Sequence, residues 1–115
     1  MDVACTEIFG PVVAAIPFDT EEEAIAIANH IEFGLVGAVW TNDVARPHRV
    51  MAQVNAGTFW VNGYKTINVA SSFGGYGLSG YGRSSGGVEA LYEYTQTKSI
   101  WVETAKDPGT TFGYL

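Results

Sequence analysis

Val12-Val13-Ala14-Ala15-Ile16-Pro17-Phe18-Asp19-Thr20-Glu21-Glu22-Glu23-Ala24-Ile25-Ala26-Ile27-Ala28 carries two patterns in succession, one of a strand and one of a helix. Its first five residues are continuously apolar and partly β-branched, which suits a strand buried on both faces, as in a parallel sheet. Thr20 and Glu23 then have the spacing of a capping box, in which a hydroxyl and a carboxylate satisfy free N–H groups at a helix start. The three glutamates also suit the positive end of the helix dipole. Ala24, Ile27, Ala28 and Ile31 recur at helical spacing, and Gly34 offers a left-handed stop, so the pattern predicts a helix over 20–32.

Working outward, Leu35 to Trp40 is a second apolar run and predicts a strand. Thr41-Asn42-Asp43 can cap a second helix reaching about Val54. Pro47 in its second turn would remove a backbone donor, so the helix either begins nearer Arg46 or bends there. Thr58-Phe59-Trp60-Val61 reads as a third strand. The result is an α/β plan, a βαβαβ parallel-sheet layer with short links. Asn62 to Ser84 shows no helical or strand period, and a connection this long in a small domain is usually functional. Val88, Leu91 and Tyr92 predict one more helix, Ser99-Ile100-Trp101-Val102 a C-terminal strand, and the residues from Thr104 an irregular tail.

The composition narrows the function classes. At 115 residues, with 47% hydrophobic and 16% charged residues, the chain has the size and make-up of one folded domain. Twelve acidic against six basic residues leave a net charge of −6, which opposes the phosphate neutralisation that nucleic-acid binding requires. Cys5 is the sole cysteine, so no internal disulfide is possible, and a cytoplasmic location is expected. No basic leader or membrane-length apolar run is present, so neither export nor membrane insertion is expected.

Seven of the fourteen glycines lie between Gly74 and Gly87. Among them, Gly75-Tyr76-Gly77-Leu78-Ser79-Gly80 matches the G-x-G-x-x-G dinucleotide pattern. That pattern has meaning only directly between a strand and a helix, whereas here a long loop precedes it, so it reads as a Gly-rich loop whose turns need positive φ. His30, His48 and Cys5 have no partners at metal-ligand spacing, and no metal site is expected.

Six blocks in order decide the matter: Glu7-Ile8-Phe9-Gly10-Pro11-Val12, Phe33-Gly34-Leu35, Gly57-Thr58-Phe59-Trp60-Val61-Asn62, Phe73-Gly74-Gly75, Ser79-Gly80-Tyr81-Gly82-Arg83 and Glu93-Tyr94-Thr95-Gln96-Thr97-Lys98. Together they resemble the C-terminal part of the NAD(P)-dependent aldehyde dehydrogenases, over roughly residues 1–103. The resemblance implies that residues 1–95 are the C-terminal segment of a catalytic domain and that residues 96–115 hold an oligomerisation strand and the tail. It implies that Glu7 accepts hydrogen bonds from the nicotinamide-ribose hydroxyls and that Phe9 packs beside the ribose and nicotinamide of NAD or NADP. It also implies that Phe73, and more weakly Ile67, line the tunnel for an aldehyde. Ser72, Gly77 and Ser84 depart from the family pattern, where proline, lysine and glutamate are common.

In the implied reaction a cysteine thiolate attacks an aldehyde, a hydride passes to NAD(P)+, and the resulting thioester is hydrolysed to a carboxylic acid. The nucleophile, the glutamate base and the Rossmann domain belong to family segments upstream of the first matching block. The expectation is therefore a catalytically incomplete piece that assigns no catalytic role to its own residues, binds NAD+ weakly or not at all, and forms a homo-oligomer. The alternative, from another class, is a non-catalytic assembly module that docks onto full-length subunits.

Overall fold

In the computed structural model, which describes residues 2–104 and 106, a short 3-10 turn (Asp2–Ala4) precedes α1 (Glu21–Ala28), β1 (Phe33–Gly34), β2 (Val36–Val39), α2 (Arg46–Met51), β3 (Thr58–Val61), β4 (Tyr76–Gly77) and α3 (Glu89–Glu93). The capping box forms as its spacing predicts. The Thr20 hydroxyl accepts from the Glu23 N–H at 3.1 Å, and the Glu23 carboxylate accepts from the Asp19 N–H at 2.8 Å.

α1 ends earlier than the apolar period suggests, and Gly34 is not its stop. Asn29 terminates it, because its amide donates to the Gln53 carbonyl at 2.8 Å and its carbonyl oxygen accepts from the Asn55 N–H at 2.8 Å. That side chain ties the end of α1 to the turn after α2. Gly34 instead lies buried in β1. α2 begins at Arg46 with Pro47 in its first turn, where the missing N–H costs no helical bond.

β2 and β3 pair in parallel, from Val36 opposite Thr58 to Val39 opposite Val61, with α2 in the crossover. Their β-branched and aromatic residues fit a pleated, half-buried surface, and every position of β2 is partly covered. Beyond the strand, Asn62 turns to φ 53° while its side chain exchanges two hydrogen bonds with the Thr41 backbone, at 2.8 and 2.9 Å.

Three parts of the expected layer differ. Val12–Ile16 forms no strand, and Val13 is 91% exposed. Ser99–Val102 forms none either, and Trp101 is 92% exposed. A strand exists only where a neighbour completes its hydrogen-bond ladder, and neither segment meets one among the described residues. Conversely, the Gly-rich stretch expected to lack regular structure contains β4, paired antiparallel with β1 through Phe33–Gly77 and Gly34–Tyr76. Two residues are too few to show a period. The tail expected after Thr104 lies outside the described residues apart from Lys106.

Little of this surface is withdrawn from water. Ile25 is the sole buried hydrophobic side chain among the described residues. The radius of gyration is 22.3 Å, against about 13 Å for a compact domain of some 100 residues.

Candidate functional site

The N-terminal turn sets the position of Glu7. The Asp2 carbonyl accepts from the Cys5 and Thr6 N–H groups at 3.0 and 2.9 Å, after which residues 7–9 form no regular element. Phe9 then adopts φ 54°, a region that bulky residues rarely occupy, and its ring is 93% exposed. Val3, Glu7, Phe9, Gly10 and Val12 line a hollow of about 320 Å³, so the structure brings the two expected cofactor residues together.

Glu7 also borders a larger cavity of about 830 Å³ between α1, β2 and α2, whose walls include Ala24, Ile25, Leu35, Val36 and Phe59. The chemistry of the smaller hollow fits one end of a dinucleotide. A carboxylate can accept two hydroxyls and an aromatic face can confine a flat ring, while none of the residues lining it is a cation that would hold a phosphate.

Phe73 and Ile67 border neither space. Phe73 is half-buried, and Ile67 is 65% exposed. The two lie on the connection between β3 and β4, which is anchored at each end. At its start the Trp60 indole N–H donates to the Thr66 carbonyl at 2.8 Å, and the Tyr64 ring meets Trp60 edge-on at 5.2 Å between centroids. At its end the Gly57 backbone passes so close to Gly74 that a Cβ there would overlap the Gly74 carbonyl oxygen. The G-x-G-x-x-G match holds β4 and the turn after it, and no helix follows it directly. Gly77 and Gly80 take φ 55° and 116°, the Ser79 hydroxyl accepts from the Gly34 N–H at 3.1 Å, and the Leu78 N–H donates to the Glu32 carbonyl at 2.8 Å.

Two groupings escaped sequence reasoning. Arg83 donates to the Gly75 and Gly82 carbonyls at 3.1 and 2.7 Å and stacks over Tyr76 at 4.4 Å, closing the Gly-rich loop. Its only sequence signal is its place in the Gly82-Arg83 block. Glu21, on α1, accepts from Arg46 at 3.1 Å and from Arg49 at 2.9 Å, both on α2. The Arg49 guanidinium, with Arg46 behind it, holds the Glu21 carboxyl below the usual carboxylate range. The i, i+3 spacing of the two arginines is visible in the sequence, but their shared partner 25 residues upstream of Arg46 is not.

Cys5 is exposed, and no group of three or more His, Cys, Asp or Glu side chains that could hold a metal occurs among the described residues. No helix among them is long and apolar enough to cross a membrane.

Residues 1–100 match the model of the aldehyde dehydrogenase family. The chain is 53% identical over 102 residues to a betaine aldehyde dehydrogenase of Cereibacter sphaeroides strain KD131, covering 89% of this chain and 21% of that protein. It is 50% identical over 105 residues to a 4-trimethylaminobutyraldehyde dehydrogenase of Oryzias latipes, covering 90% of this chain and 21% of that protein. Its fold superposes on the Mycobacterium tuberculosis aldehyde dehydrogenase complexed with NAD+ with a TM-score of 0.80 and 45% identity, over 94% of this chain and 22% of that one. The chain thus spans about a fifth of the length of the curated relatives it matches. On the family model, the identities and the shared fold together, the chain belongs to the aldehyde dehydrogenase family.

Proposed function

We propose that this chain is the C-terminal part of the catalytic domain of an NAD(P)-dependent aldehyde dehydrogenase, and that the chemistry is completed by segments outside it. The observation that supports this most is the near-absence of a core. A chain with this many apolar residues buries them when its partners are present, and the open 830 Å³ cavity against α1 and β2 has the apolar walls of an interior surface.

In this reading residues 1–95 belong to the catalytic domain and residues 96–115 to an assembly arm. Val12–Ile16 and Ser99–Val102 become strands when neighbouring elements supply their ladders, completing the βαβαβ layer and joining subunits. Glu7 accepts the hydroxyls of the nicotinamide ribose, and Phe9 presents its exposed face to the same end of the cofactor. The Phe73 ring and Ile67 form part of an apolar wall that selects an aldehyde by shape. The bound cofactor supplies a hydride acceptor. The attacking thiolate comes from elsewhere, since Cys5 lies two residues before Glu7 with no cation beside it in sequence to stabilise a thiolate.

The test compares the purified chain with the complete dehydrogenase that carries it, reading NADH formation with a panel of aliphatic and aromatic aldehydes. The chain alone should show no turnover and no micromolar NAD+ binding by calorimetry. In the complete enzyme, Glu7→Gln should lower kcat/KM by roughly 10- to 100-fold, the worth of one charged hydrogen bond. Turnover by the isolated chain that disappears in Cys5→Ser would overturn the reading.

A further inference from the structure

Between Arg49 and Arg83 the sequence carries one charged side chain, Lys65, although the chain as a whole has a net charge of −6. It sits on the connection from β3 to β4, two residues before Ile67. Lys65 is held in place by its surroundings. Asn62 is bonded to the Thr41 backbone on one side of it, and the Thr66 carbonyl is bonded to the Trp60 indole on the other. Its backbone takes φ 61°, a left-handed conformation that a long side chain adopts only where the surrounding loop imposes it.

The ammonium lies 5.5 Å from the centre of the Tyr64 ring, whose edge-to-face partner is Trp60. An aromatic face of this kind attracts quaternary ammonium groups. Here the chain's own cation occupies it, and a second cation arriving nearby meets both a filled face and like-charge repulsion. An anion arriving at the same place meets an ammonium that forms no ion pair with a carboxylate among the described residues.

We propose that Lys65 sets the charge preference at the aldehyde entrance, favouring aldehydes that carry a carboxylate over aldehydes that carry a trimethylammonium group. This rests on the reading of the β3–β4 connection as part of the substrate passage. It goes further by naming the substrate class and the side chain that selects it.

The experiment measures kcat/KM of the complete dehydrogenase for three four- or five-carbon probes: 4-oxobutanoate, betaine aldehyde and butanal. The wild type should prefer 4-oxobutanoate to betaine aldehyde. Lys65→Glu should shift the ratio of the two at least tenfold toward betaine aldehyde, and added salt should shrink the difference. Lys65→Gly removes the charge while suiting the positive φ, so a ratio shifted the same way in that variant supports the proposal even where Lys65→Glu fails to fold. Turnover of the probes with a ratio that moves less than twofold in Lys65→Gly overturns the role of Lys65 and leaves the dehydrogenase reading intact. No oxidation of any of the three by the complete enzyme overturns both.

Discussion

The centre of the molecule, residues 20–83, and its flanks, residues 7–18 and 95–104, draw on similar apolar and β-branched residues and meet opposite fates. In the centre, Val36–Val39 finds Thr58–Val61 within one α2 crossover and becomes sheet. In the flanks, Val12, Val13, Ile100 and Trp101 join no strand and have 53%, 91%, 75% and 92% of their surfaces exposed. A strand is therefore a property of a pair. Local propensity prepares a segment to be extended, and only a neighbour in reach makes it a strand.

The sharpest way to break that contrast is to give the flanks partners. Copies of the chain can supply strands to one another, so the isolated chain should self-associate in light scattering as concentration rises. Trp101→Lys should weaken that association, since a charge on an unpaired edge opposes pairing. A strict monomer at high concentration would show that the flanks need a different neighbour.

A smaller effect separates centre from flank at a single atom. Gly57→Ala places a methyl group against the Gly74 carbonyl oxygen, backbone against backbone, and should cost about 1–3 kcal/mol or more in urea denaturation. Gly10→Ala, on the N-terminal flank with nothing within 4 Å, should change stability by less than about 0.5 kcal/mol. Equal costs would mean that the flank is as tightly packed as the centre.

The smallest expected effect lies at the seam between α1 and α2. Glu21 has a folded-state pKa below its ordinary value, so its contribution is present above the unfolded value near 4.5 and is lost as pH falls through the lower folded one. Acid should therefore loosen α1 from α2, and Glu21→Gln should flatten that part of the pH profile. Hydrogen exchange at the α1 amides reads both.

What was legible in the sequence was local. Thr20 and Glu23 announce the start of α1, Pro47 limits α2 to a start near Arg46 or a bend there, of which the structure takes the first, and the residues Thr58–Val61 are recognisable as a strand. What was not legible depended on residues far apart in the chain. The end of α1 at Asn29 is fixed by Gln53 and Asn55, and β4 exists only because Gly34 lies opposite Tyr76. The site divides in the same way. Glu7 and Phe9 were named through a family resemblance, and the structure gathers them around one hollow. The closure of the Gly-rich loop by Arg83 needed coordinates, because an arginine reaching two carbonyls leaves no periodic trace.

Asn62 joins these two kinds of information in one residue. Its backbone turns to φ 53° while its N–H still donates to the Val39 carbonyl at 2.9 Å, and its side-chain amide carries the ladder onto Thr41 for one more rung. The end of β3 is thereby clamped to β2 before the loop begins. Residues 67–73, beyond the Trp60–Thr66 hydrogen bond and the Tyr64 ring contact, can be redrawn with little pull reaching Val61, much as a splice takes the strain off a cable. Changes can then accumulate in the outer part of the loop while β2 and β3 keep their pairing.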